Sequence, residues 1–162
     1  MAKPTAPHPV LSDAALRAIC EHAQRQVPRE CCGVVSGPKD QSLADQARVC
    51  ENIQDRLHAQ DPATHPRDAR TAYNFDTKDL FALEKSLRSD TPVKIIYHSH
   101  VDVGAYFSDT DQAAAQMFGE PTYPVEYVVV DVTAAGARGA KQFTWSDAEK
   151  KYVEIGDYSV EA

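Results

Sequence analysis

The chain has no apolar run approaching the roughly 20 residues that a membrane-spanning helix needs. It also has no cluster of Lys and Arg: 24 acidic residues face 17 basic ones, for a net charge of −7. Nucleic acid is therefore a poor partner, because phosphate binding needs concentrated positive charge. None of the four cysteines forms a C-x-x-C pair, which removes a Cys-rich zinc knuckle and a thioredoxin-type redox motif. They are expected as free, buried thiols in a reducing compartment. The opening MAKPTAPHPVLSD lacks the apolar core of a signal peptide, so the expected location is the cytoplasm. Internal repeats and low-complexity segments are absent as well.

What is present suits a globular fold: 162 residues, 43% hydrophobic and 25% charged, match one soluble domain. Residues 1–10 carry three prolines and read as a flexible arm, leaving 11–162 as the domain. Ser12 can cap a helix running to about Gln26, with Leu16, Ile19, Cys20 and Ala23 in one apolar stripe. CCGVVS (31–36) reads as a strand closed by Gly37-Pro38, and 43–53 as its returning partner. Residues 54–70 show no period and read as a long loop; TAYNF (71–75) suggests a short strand. A helix is expected over 78–89, capped by Asp76 or Thr77, then a central strand at 93–98. A further helix, SDTDQAAAQMF, is expected from Ser108 to Phe118, ending before Gly119-Glu120-Pro121, and 125–132 and 140–145 read as strands. The tail DAEKKYVEI fits either strand or short helix. Alternating helices and strands with two hairpins predict an α/β layered domain, with a mixed, largely antiparallel curved sheet flanked by helices.

Polar residues concentrate in YHSHVDVGAYFSDTD, 97–111. On a strand, His98 and His100 point to one side and Ser99 to the other. Two such imidazoles can share one zinc ion, although a lone H-x-H pair also fits two surface histidines. Ser108 and Asp111 lie three apart at a helix start, the ordinary spacing of a cap. Capping does not stop a serine hydroxyl from also facing a site. Glu30, before the first long strand, is by itself an ordinary solvated acid. Cys31 and Cys32 alternate across that strand and suit the core better than a metal.

The combination is more specific than its parts. Glu30, followed by His98-x-His100, seven residues, and Ser108-x-x-Asp111, resembles the signature of the JAB/MPN (JAMM, MPN+) zinc metalloproteases. Glu30-Cys31-Cys32-Gly33 is similar to the E-x-C-G that leads into an apolar strand in that family. The resemblance covers roughly residues 10–135 and implies the layered, cytidine-deaminase-like architecture. It implies one zinc ion held by His98, His100 and Asp111, with Glu30 as general base and Ser108 as oxyanion donor. Ser99 takes only a supporting part. The family commonly has proline where Val101 and Phe107 stand; Gly104 is a candidate source of the missing bend. Asp102 is an extra carboxylate that reads as a solvated loop residue.

The resemblance further implies hydrolysis of a peptide or isopeptide bond after the C-terminal Gly-Gly of a ubiquitin-like or sulfur-carrier protein. Such a thin tail can lie along a sheet edge, and the 54–70 segment is a candidate wall of its groove. A non-catalytic MPN-type scaffold is one alternative, though it would have lost ligands that this chain keeps. A phage-tail or cell-wall endopeptidase with the same motif is another. A zinc deaminase needs H-x-E and P-C-x-x-C, and neither occurs.

Overall fold

The computed structural model describes residues 8–160. Its elements are β1 (Val10–Leu11), α1 (Asp13–Gln26), β2 (Cys32–Ser36), β3 (Leu43–Ala44), β4 (Gln46–Cys50), α2 (Gln54–Gln60) and α3 (Thr77–Ser86). There follow β5 (Val93–Val101), α4 (Asp109–Ala115), β6 (Gln116–Met117), β7 (Glu120–Pro121), β8 (Glu126–Thr133), β9 (Gly136–Ser146) and β10 (Lys151–Ser159). Six strands form the main sheet in the order β10-β9-β8-β5-β2-β4. Only β5 and β8 run parallel; their other neighbours are antiparallel. The parallel pair requires a crossover, and the connection from β5 to β8 carries α4.

Residues alternate between two cores across this sheet. One face buries Ile95, Tyr97, Val128 and Val130 with Ile19, Cys20 and Ala23 of α1. The other buries Val34, Ile96, Val129 and Phe143 with Leu83 of α3. Ser12 caps α1 by accepting from the Ala15 N–H at 3.0 Å. Gly33 is required by close packing: a Cβ there would lie 2.4 Å from the Tyr97 ring.

Of the segment read as an arm, residues 1–7 lie outside the described residues. Pro9 accepts from the buried Gln142 side chain at 2.7 Å, and Val10 pairs with Leu43 in β1. No helix among the described residues is long and apolar enough to cross a membrane.

Local readings fail in three places. Residues 54–60, read as loop, form α2; the segment has good helix formers but only one aliphatic residue beyond alanine, Leu57, so no stripe announces it. The strand expected at 71–75 reduces to a single bridge between Asn52 and Phe75. There the Asn52 side chain replaces the ladder, donating to Ala72 O at 3.1 Å and accepting from Asn74 N–H at 3.1 Å. The helix opening at Ser108 stops at Ala115, where Gln116 turns extended and a small hairpin follows through Phe118 (φ 55°) and Gly119 (φ 76°). The ambiguous tail forms β10, an edge strand paired along β9.

His22 of α1 meets the Tyr97 hydroxyl at 2.7 Å inside the first core. Burial, with the Arg25 charge adding to it, pushes the His22 imidazole down to about 4. The unfolded chain therefore binds a proton near pH 6.5 that the folded chain refuses. Stability linked to His22 is complete above about 6.5 and falls as pH drops towards about 4. Urea unfolding between pH 7 and 4 should show this slope, and His22→Gln should flatten it. An identical pH slope in the variant would remove His22 as its source.

Candidate metal centre

The site forms where β5 ends. Antiparallel register pairs Cys32 with His98. Carried on by the Ser99 N–H to Cys31 O bond at 3.2 Å, it sets Glu30 opposite His100. Ser99 points to the far side, as expected, and its hydroxyl accepts the Cys31 N–H at 2.8 Å. Glu30 is fixed through its backbone: its N–H donates to Ala69 O at 2.7 Å and its carbonyl accepts from Asn52 at 2.9 Å. Ser108 and Asp111 begin α4 and form a reciprocal capping box, each N–H 3.0 Å from the other's side-chain oxygen.

These elements bring Glu30, His98, His100 and Asp111 together in the interior, each at most 6% exposed. The two Nε2 atoms are 3.3 Å apart. Asp111 Oδ1 lies 3.2 Å from His98 Nε2, and Oδ2 lies 3.1 Å from His100 Nε2. A tetrahedral ion with bonds of about 2.0–2.1 Å would space its ligands by about 3.3–3.4 Å, so these separations suit zinc. Glu30, His98 and His100 also offer ligand atoms within 4.8 Å of one another. Two carboxylates thus compete as third donor, and Asp111 sits directly against both imidazoles.

Hydrogen bonding decides what the imidazoles present. His100 Nδ1 faces Gly104 O at 3.1 Å, so it carries the proton and leaves the Nε2 lone pair inward in the neutral ring. Gly104 takes φ +90° to make this contact, beside Asp102 at φ +65°. That bend stands where Val101 and Phe107 replace the family's prolines. His98 Nδ1 is the one buried side-chain nitrogen or oxygen among the described residues with no partner. Its ring is held by stacking on Tyr73, centroids 4.4 Å apart and planes 24° apart. With nothing to gain at Nδ1, the strong interaction of His98 must be at Nε2. The space between each Nε2 and the Asp111 carboxylate can hold a shared proton or, in its place, a cation.

In the metal-free site the same groups share protons. Burial opposes charge on Asp111, but His98, hydrogen bonds from both imidazoles and the Ser108 N–H outweigh it and hold the carboxyl well below its usual range. Burial keeps His98 low, whereas on His100 the hydrogen bond and charge of Asp111 overcome burial and raise it. One carboxylate cannot fully compensate two imidazolium ions, so the neutral His98 is the consistent assignment. Burial pushes the Glu30 carboxyl up to about 8; Asp111 adds to the rise, while His100 and Arg67 oppose it. A divalent cation beside Glu30 would reverse much of that cost. The thiols are poor ligands by contrast, since burial pushes Cys31 up to about 12.

Glu30, His100 and Asp111 line a cleft of about 370 Å³, while His98 is fully buried and does not line it. One wall is 64–67 and 70–74; the other includes Val103, Tyr106 and Ser108. The 64–67 stretch lies within the segment that the sequence marks as a groove wall. Tyr73 is the site residue that no sequence signal singles out, because its contact with His98 depends on tertiary packing.

The family model described as prokaryotic homologs of the JAB domain matches residues 12–146. The chain belongs to this family. Curated relatives named CysO-cysteine peptidase, from Mycobacterium bovis and Mycobacterium tuberculosis, are 31% identical to this JAB-domain chain over 98 residues. That match covers 59% of this chain and 58% of the relatives' length. A solution structure of a Desulfitobacterium hafniense protein superposes with a TM-score of 0.57 at 16% identity, covering 89% of this chain and 87% of that one. A Salinibacter ruber protein gives 0.58 at 17% identity, over 93% and 91%. At these identities the two structures share the fold.

Proposed function

We propose that this JAB-domain protein is a zinc-dependent peptidase that hydrolyses the bond after the C-terminal Gly-Gly of a ubiquitin-like or sulfur-carrier protein. The observation that carries the reading is the convergence of His98 Nε2, His100 Nε2 and both Asp111 oxygens in the interior, with Glu30, His100 and Asp111 lining a cleft. The 31% identity to proteins named CysO-cysteine peptidase supports a carrier protein as substrate. The proposed setting is the cytoplasm, where the four buried thiols stay reduced.

His98, His100 and Asp111 would hold one zinc ion, which supplies Lewis acidity toward water and a peptide carbonyl at neutral pH. Glu30 takes a proton from the attacking water on its carboxylate and returns it to the leaving amine nitrogen. Ser108 Oγ accepts the Asp111 N–H at 3.0 Å, which leaves its own hydrogen free to donate. It can therefore cap α4 and also stabilise the oxyanion. Tyr73 and Gly104 orient the two imidazoles.

The direct test incubates purified protein with a carrier extended beyond Gly-Gly, with and without chelator, and reads the mass of the product. Chelator-sensitive release of the extension is expected, with one zinc per chain. Protein that binds no zinc and gains no stability from it would instead favour a scaffold. Ser108→Ala should retain zinc, lower kcat by about 10²–10³, and lose about 1 kcal/mol with the cap. Unchanged kcat with lowered thermal stability would leave Ser108 only the capping role.

A further inference from the structure

The two arginines on the same cleft wall differ in one respect. Arg70 is committed to Asp68, with Nη2 at 2.7 Å and Nε at 3.1 Å from Oδ2. Arg67 is exposed and lines the cleft, yet its guanidinium has no hydrogen bond or ion pair within the described residues. Its backbone is nevertheless fixed. Arg67 O accepts from the buried Gln54 side chain at 2.8 Å. Two residues on, the Ala69 N–H donates to Asp55 at 2.8 Å while Ala69 O accepts the Glu30 N–H at 2.7 Å. The backbone at Arg67 is thus held by Gln54 and, two residues on, tied to the backbone of Glu30, and the guanidinium charge acts on the Glu30 carboxyl from the same cleft. In a chain of net charge −7, a guanidinium so placed and without a hydrogen-bonded partner invites a carboxylate from the substrate.

The direction of the reaction indicates which carboxylate. Glu30 returns a proton to the leaving nitrogen, so the released residue lies on Glu30's side of the scissile bond. In a released C-terminal amino acid, the carboxylate carbon is only about 2.5 Å from that nitrogen. Elsewhere in the lining, Val103 and Tyr106 carry no charge and Arg70 is already held by Asp68. We propose that Arg67 is a specificity-determining residue that pairs with the free α-carboxylate of a single amino acid leaving the carrier's C-terminus. This rests on the peptidase reading and narrows it: the enzyme trims one residue, in preference to an internal peptide bond or an isopeptide. Those substrates present no free carboxylate next to the scissile nitrogen and leave Arg67 to water.

The test uses zinc-loaded, full-length protein and a ubiquitin-like carrier extended past Gly-Gly by one cysteine, made with either a free C-terminal carboxylate or an amide. Wild type should cleave the acid at least about tenfold more efficiently by kcat/KM. Arg67→Gln should bring that ratio close to one by losing more efficiency on the acid than on the amide, with zinc content unchanged, and Arg67→Lys should restore part of it. Binding of both carriers to Glu30→Gln, followed calorimetrically, should show the same preference without turnover. Equal handling of acid and amide by wild type, or equal losses on both in Arg67→Gln, overturns the Arg67 assignment and leaves the peptidase reading standing. Neither carrier cleaved by wild type nor bound by Glu30→Gln overturns the peptidase reading, and the assignment with it.

Discussion

Glu30→Gln is expected to abolish measurable hydrolysis while keeping zinc. A positioned general acid–base contributes about 10²–10⁴ in rate, and Glu30 is proposed to act in both proton transfers. The substitution is nearly isosteric, and the hydrogen bonds that place residue 30 use its backbone N–H and carbonyl. The fold should therefore persist. In the metal-free protein the variant should be no less stable at pH 7. The Glu30 carboxyl, raised to about 8 chiefly by burial, must take up a proton on folding at that pH, and glutamine removes this demand. Single-turnover rates, zinc per chain and thermal unfolding check these points together. A rate within about tenfold of wild type would remove Glu30 as the proton carrier.

Asp111→Ala should lose both metal and activity. Its two oxygens contact His98 and His100 at 3.2 and 3.1 Å, and Oδ2 also accepts the Ser108 N–H at 3.0 Å. Alanine removes a proposed zinc donor, the charge facing two imidazoles and one half of the capping box. Zinc retention against a competing chelator should fall by at least about a hundredfold, more than loss of an outer-shell contact would cause. Metal-free stability at pH 7 should fall by about 1–3 kcal/mol, because buried groups lose their partner. Asp111→Asn keeps an acceptor for the Ser108 N–H but lacks the charge, so it should recover stability more than zinc. Unchanged zinc after dialysis of Asp111→Ala would leave Glu30 as the third donor, within 4.8 Å of both imidazoles.

Features set by neighbouring residues are legible in the chain. The apolar stripe of α1, its Ser12 cap and the β-branched core of β5 follow from periodicity and side-chain chemistry over a few positions. The same two-residue period puts His98 and His100 on one face. The S-x-x-D spacing yields the capping box that holds Ser108 against Asp111. α2 escapes this reading because its contacts are polar: Gln54 is buried by bonds to Arg67 and Asn74 and leaves no stripe. Residues 71–75 mislead for the converse reason. Their aromatics resemble a strand, but Tyr73 turns inward to stack on His98.

The sequence by itself determined the layered α/β class, the imidazole pair and the capped helix start, because each arises from local geometry. Only the tertiary structure decided that Glu30 stands across from His100, since that depends on the register between β2 and β5. It also placed Asp111 between the imidazoles, through the crossover from β5 to β8, and set an unpaired Arg67 on the wall beside the base. These are contacts between distant segments, fixed by strand register and by side chains bonding to remote backbone, for which no local period exists.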